Sequence, residues 1–160
     1  MAGEQSTEPL LVRDARPEDV PLLLELLREL AEYERLSDQV RATEELFDRA
    51  LFSERPAAEA LIAERAGEAV GYALYFPTFS TFLAIQGVWL EDLFVRPESR
   101  GAGVGTALLR HLFDRAGDGR VEWAVLDWNE PSIAFYRRQG ARPVPGWTRY
   151  RWTAGGRGGG

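Results

Sequence analysis

The stretch from Val88 to Ala116 constrains the fold more than any other part of the chain. Val88–Val95 reads as an apolar strand, and Pro97–Gly105 carries glycines at 101, 103 and 105. Leu108, Leu109, Leu112, Phe113 and Ala116 then draw one apolar stripe along a helix. A strand, a glycine-rich turn and an amphipathic helix in this order make a βα unit whose turn exposes successive backbone N–H groups at a helix N-terminus. Such a turn suits a phosphate or pyrophosphate, and Arg100 would add charge. Two familiar phosphate loops fail on spacing. Gly105 is followed by Thr106-Ala107 with no Lys, and the glycines run G-x-G-x-G, with no acid closing the next strand. Taken alone, the loop leaves a plain βα turn open as well.

The flanking segments predict a mixed α/β architecture. Leu10–Arg13 reads as a first strand. Pro17 opens a helix that runs to about Leu36, and Thr43 caps a shorter one. From residue 58 the period changes. Ala60–Glu64 and Val70–Phe76 form a hairpin about Ala66-Gly67-Glu68, and Pro77–Gln86 is a longer connection. After the glycine loop and its helix, Val121–Leu126 is a strand, Glu130–Gln139 a short helix closed by Gly140, and Trp147–Trp152 a final strand. Helices alternate with strands only in the second half, which predicts a sheet that is antiparallel first and parallel after. With 160 residues and no internal repeat, the expectation is one domain over 10–152, a disordered leader over 1–9 and a flexible glycine-rich tail over 153–160.

Composition narrows the chemistry. There is no Cys, hence no disulfide, no thiolate metal cluster and no acyl-cysteine route. A formal charge of −6 argues against nucleic acid and anionic membranes as partners and is compatible with a cationic ligand. No apolar run approaches the ~20 residues of a membrane span. The acidic, polar start lacks the basic region and apolar core of a signal peptide, so a cytoplasmic location is expected.

Two further segments carry candidate chemistry. Trp89–Val95 sets two adjacent acids, Glu91 and Asp92, inside an apolar strand. Alternation sends them to opposite faces, so at least one is enclosed and wants a partner, a ligand or a proton. A strand-end salt bridge is the competing reading for Asp92. In Asp127–Gly140, Asn129 caps a helix, Pro131 fits its first turn, and Asn129, Ser132 and Tyr136 share one face. A half-buried surface Tyr is the competing reading there. His111, the only His, falls on the polar edge of a helix and reads as solvated surface.

Taken together, Leu90-Glu91-Asp92-Leu93-Phe94-Val95, Arg100-Gly101-Ala102-Gly103-Val104-Gly105 and Trp128–Tyr136 resemble the spermidine/spermine (diamine) N-acetyltransferase branch of the GNAT acetyltransferases. Glu29–Glu34 in the first helix belongs to the same resemblance. It implies the GNAT fold, with acetyl-CoA in a cleft where strands around Glu91–Val95 and Val121–Asp127 splay apart. It places the backbone of Leu93, Phe94 and Val95 along the pantetheine. It gives the pyrophosphate to Arg100, Gly101, Ala102, Gly103, Val104, Gly105 and Thr106, and the other wall to Asn129, Pro131 and Ser132. Tyr136, also on the cofactor, becomes a general acid, and Glu91 the group that deprotonates the amine. Tyr33, Glu34, Glu91 and Asp92 are assigned to the substrate, with Glu122 adding negative potential. With no Cys available, direct transfer in a ternary complex is expected, and no metal; the same resemblance implies a homodimer.

One departure matters for the substrate. Family members place an acid just before a Gly-Trp pair in the last connection, whereas here Arg142–Trp147 is shorter and has none. A long polyamine thereby loses an anchor, and a smaller diamine or a lysine-like amine fits as well. The same chemistry on thialysine, an amino acid or a protein amine, and a CoA-binding module without catalysis, are the alternatives.

Overall fold

The structure is a computed structural model that describes residues 8–154. The expected leader therefore lies almost wholly outside the described residues, as does most of the glycine-rich tail. The chain divides into two compact units between Leu126 and Asp127.

The first unit is a five-stranded sheet in the order β1 (Leu10–Asp14), β2 (Glu59–Arg65), β3 (Glu68–Ser80), β4 (Ile85–Val95), β5 (Val121–Glu122). The first four strands pair antiparallel, and β4 and β5 pair parallel. The β2–β3 hairpin is tight because Ala66 and Gly67 both take positive φ, +53° and +77°, which matches the twist of the flanking strands. The connection expected over Pro77–Gln86 is largely strand. β3 and β4 continue as a two-stranded ribbon to Ser80 and from Ile85, with Pro77 tolerated where β2 no longer pairs.

Among the described residues, three α-helices belong to this unit. α1 (Val20–Tyr33) follows a short 3-10 turn at Pro17–Asp19, and α2 (Glu44–Phe52) starts where the Thr43 hydroxyl accepts the Leu46 N–H. Leu23, Leu26 and Leu30 of α1 and Leu51 of α2 pack with Ala60, Ile62, Tyr72 and Phe94, the residues that point to one side of the sheet. α3 (Val104–Ala116) buries Val104, Leu108, Leu109 and Leu112 and packs against β4 and β3 from the opposite side. Each fully buried leucine of this kind contributes roughly 1.5–3 kcal/mol relative to exposure. Gly71 allows this packing, since a Cβ there would stand 2.6 Å from the Phe94 carbonyl oxygen.

Two arginines fix the frame. Arg13 forks onto Asp19 (2.7 and 2.9 Å) and Glu64 (2.6 and 3.0 Å), tying β1 to β2 and to the entry of α1. Arg96, just past β4, donates to Glu25 (2.5 Å) and Glu29 (2.8 Å) of α1 and to the Ala69 carbonyl (3.0 Å). The C-terminal half of α1 is thereby clamped beside the end of β4.

The parallel pair differs from expectation in length. β5 pairs only Val121 with Val88 and Glu122 with Trp89, where a strand to Leu126 was predicted. The ladder stops just before β4 is bent by a bulge at Glu91, and a bulge bends and twists its strand away from a straight partner.

The second unit holds α4 (Glu130–Arg138). Asn129 caps it by accepting the Ser132 N–H (3.4 Å), and Gly140 at φ +88° closes it as expected. The predicted last strand does not form: residues 147–152 carry neither helix nor strand. Their aromatic and alternating composition favours a pleated surface, but a strand exists only through its ladder, and none of the ladders takes these residues in.

Candidate active site

The site is organised by one irregularity in β4. Across the β3–β4 ladder, Leu74 pairs with Asp92 and Tyr75 with Leu90, so Glu91 has no partner of its own and forms a bulge. The extra residue switches the parity of the strand. Asp92 and Phe94 point to the side covered by α1, while Leu90 joins Tyr75 on the side of α3. The strict alternation expected of the two acids is therefore broken at the bulge, and of the two Asp92 is the more enclosed.

Asp92 accepts a hydrogen bond from the hydroxyl of Tyr72 (3.1 Å), a side chain with no exposed surface. Burial pushes the Asp92 carboxyl up to about 6; the Tyr72 hydrogen bond opposes the rise, and the negative charges of Glu91 and Glu34 add to it. Burial likewise lifts Glu34, which caps the C-terminus of α1. Tyr72 is pushed well above the usual phenol range, first by burial and then by the adjacent Asp92 charge. Glu91 itself is exposed and is held by the indole N–H of Trp89 at 2.7 Å. Glu34 and Glu91 both act electrostatically on Asp92, and with Glu34 and Asp92 destabilised as anions by burial the site gains from a cation.

The second part of the site begins at the C-terminal end of β4. Arg100 donates from Nε to the Val95 carbonyl (2.9 Å), and its guanidinium lies over the Tyr33 ring (4.8 Å to the centroid) and near Phe94 (5.8 Å). Its side chain thus braces the start of the loop against α1 instead of standing free. Gly101 and Gly103 take φ of +77° and +80°, a conformation that strains any residue with a Cβ. The space where such a Cβ would lie is open at both. Val104 then opens α3, whose first intrahelical bond runs from the Ala107 N–H to the Gly103 carbonyl (3.0 Å). The N–H groups at and before Val104 and Gly105 are therefore not consumed by the helix ladder, which is the donor set an anion requires. These donors, with open space before two glycines, fit a pyrophosphate.

Among the residues singled out from sequence, Tyr33, Phe94, Val95 and Arg100 are in one contiguous cluster, and Glu34, Glu91 and Asp92 in another beside it. Glu122 sits 3.9 Å from Arg120. Asn129, Pro131, Ser132 and Tyr136 lie on or before α4 in the second unit, Tyr136 with its ring 5.3 Å from that of Phe135. His111 is exposed and hydrogen bonded to the carbonyl of its own helix at Ala107. Sequence reasoning missed Tyr72 and Trp89. The i, i+2 spacing of Trp89 and Glu91 was a usable signal, whereas Tyr72 becomes significant only through the register that brings it to Asp92.

Comparison with known proteins bears on these observations. The Acetyltransferase (GNAT) family matches residues 22–141, across both units. A thialysine N-epsilon-acetyltransferase of Sus scrofa is 38% identical over 156 residues, covering 89% of this chain and 91% of that protein. An L-ornithine N5-acetyltransferase of Arabidopsis thaliana is 30% identical, covering 89% of this chain and 83% of that protein. Among solved structures, an integron cassette protein of V. cholerae superposes with a TM-score of 0.75 at 24% identity, over 91% of this chain and 93% of the other, a likeness of fold.

Proposed function

Since the chain belongs to the GNAT acetyltransferase family and is an N-acetyltransferase, we propose that it moves the acetyl group of acetyl-CoA to the primary amine of a short cationic substrate. The class proposed is a lysine-like or ornithine-like amino acid or a short diamine, in preference to a long polyamine. One observation carries this reading: the trio of exposed Glu91 and half-buried Glu34 and Asp92 around the β4 bulge, with Tyr72 beneath it. The names of the two relatives support the lysine-like choice. So does the absence of an acid in Arg142–Trp147.

When bound, acetyl-CoA supplies an activated thioester carbonyl and a thiol leaving group. The residues proposed to hold it are Arg100–Thr106 at the pyrophosphate, the β4 backbone at Leu93, Phe94 and Val95, and Asn129, Pro131 and Ser132. An alkyl amine with a pKa near ~10.4 arrives protonated. Asp92 and Glu34 attract that cation, and Glu91, exposed on the bulge and steadied by Trp89, takes the proton directly or through water. A backbone N–H of Leu93–Val95 offers the donor that the developing charge on the carbonyl oxygen needs, an effect worth about 3–4 kcal/mol where it has been measured. Tyr136 returns a proton to the leaving sulfur. We also propose a homodimer, on the strength of the sequence resemblance; sedimentation at the mass of a monomer alone would refute it.

Thiol release from acetyl-CoA, measured across thialysine, lysine, ornithine, putrescine, spermidine and spermine, tests the substrate class. The expected order places the short amines first. A clear preference for spermine would overturn the choice, and turnover of none of them would overturn the small-amine reading itself.

A further inference from the structure

Arg65 closes β2, opposite Glu68 at the hairpin turn and beside Leu10 of β1, and nothing in the sequence connects it with the glycine loop. In space it reaches that loop: its Nη2 donates to the Ala102 carbonyl at 3.3 Å, across 37 residues of chain. Its Nε is buried and has no hydrogen-bond partner among the described residues. Enclosing an unpaired guanidinium N–H opposes folding, so an apolar side chain of similar length would serve packing better. The charge is explained by what the far end of the side chain does.

The peptide between Ala102 and Gly103 is planar and trans, so its C=O and N–H point in opposite directions. Holding the Ala102 oxygen on the side of β2 therefore turns the Gly103 N–H to the other side of the loop. This peptide turns about ψ of Ala102 and φ of Gly103, and a glycine at 103 gives it the freedom to flip; a flipped carbonyl would present its negative end to an anion. Arg100 does not prevent such a flip, because its guanidinium is engaged one step earlier, at Val95 and Tyr33.

We infer that Arg65 is a positioning residue for the acyl donor, clamping the Ala102 carbonyl so that the Gly103 N–H stays turned toward the donor's pyrophosphate. The inference rests on the proposed acetyl-CoA role of the loop. It makes Arg65 specific for the diphosphate part of the donor and indifferent to the thioester.

Two donors with the same thioester separate these parts: acetyl-CoA, and S-acetyl-pantetheine, which lacks the pyrophosphate. Arg65→Met, which keeps the stem, is expected to raise the KM for acetyl-CoA by about 10-fold. The KM for the amine, kcat, and kcat/KM with S-acetyl-pantetheine should stay within about 2-fold, and Arg65→Lys should recover part of the loss. An unchanged acetyl-CoA KM, or an equal fall in kcat/KM on both donors in both variants, would overturn the inference. The wild-type enzyme tests the underlying reading separately. If it failed to prefer acetyl-CoA to S-acetyl-pantetheine, the loop would not be reading the pyrophosphate, and the role of Arg65 would fall with it.

Discussion

The two halves of the site at β4 are made of different materials. Around Glu91 the chemistry is carried by side chains from three elements: Glu34 at the end of α1, Tyr72 on β3, and Trp89, Glu91 and Asp92 on β4. After Val95 it is carried by the main chain, two left-handed glycines and the opening turn of α3, with side chains acting as braces. The first half is negative, and burial opposes the ionisation of Asp92 and Glu34 within it. The second presents N–H donors. A protonated amine and a pyrophosphate are opposite in charge, and the two constructions match that opposition. The contrast also says how each half fails. A side-chain cluster is lost by changing one functional group, whereas a backbone cradle is lost by changing the conformation that a residue is able to adopt.

Substitutions at the two ends should therefore affect different substrates. The largest effect is expected at the bulge, where Glu91→Gln removes the proposed proton acceptor while keeping the shape and the contact with Trp89. Thiol-release assays should show kcat lower by about 100-fold or more, and a variant within a few-fold of wild type would remove Glu91 from the chemistry. Next comes Gly103→Ala, which forces a Cβ into a left-handed conformation at a cost of roughly 1–2 kcal/mol. The expected result is an acetyl-CoA KM raised by about 10-fold with the amine KM unchanged; a matched rise in both would erase the division between the two halves. Smallest is Tyr72→Phe. Because its hydroxyl favours the charged form of Asp92, its loss should move the acid limb of the amine pH profile upward. A downward shift, or none, would break the proposed link between the two residues.

The same contrast explains what could be read from the chain. The glycine loop was legible because its chemistry is written in residue type: only glycine takes φ near +80° cheaply, and Gly101 and Gly103 do so. The caps at Thr43 and Asn129 and the closure at Gly140 were legible for the same local reason. The acid cluster was half legible. Two acids in an apolar strand announced that one was enclosed, but Tyr72 and the bulge depend on a cross-strand register that residue spacing does not encode. Arg65 was invisible, since its partner is a backbone carbonyl 37 residues away. The ends of β5 and the absent strand over residues 147–152 mark the same limit. Trp147 to Trp152 has the composition of a strand, and composition does not supply the neighbour that makes one.

The most direct test of the account is the amine KM measured from pH 5 to 8 in the wild type and in Asp92→Asn. The substrate amine stays protonated throughout this range, so the change belongs to the protein. Asp92, with Glu34, Glu91 and Tyr72 facing it, holds its proton up to about 6, and only the ionised form attracts the cation. The wild-type KM should therefore be low above pH 6 and rise as the pH falls through it. Asp92→Asn should show a KM about 10-fold higher at pH 8, with little of that pH dependence and an unchanged acetyl-CoA KM. A flat wild-type profile, or a variant that follows the wild type across the range, would contradict the claim that the half-buried Asp92 beside the β4 bulge receives the cationic amine.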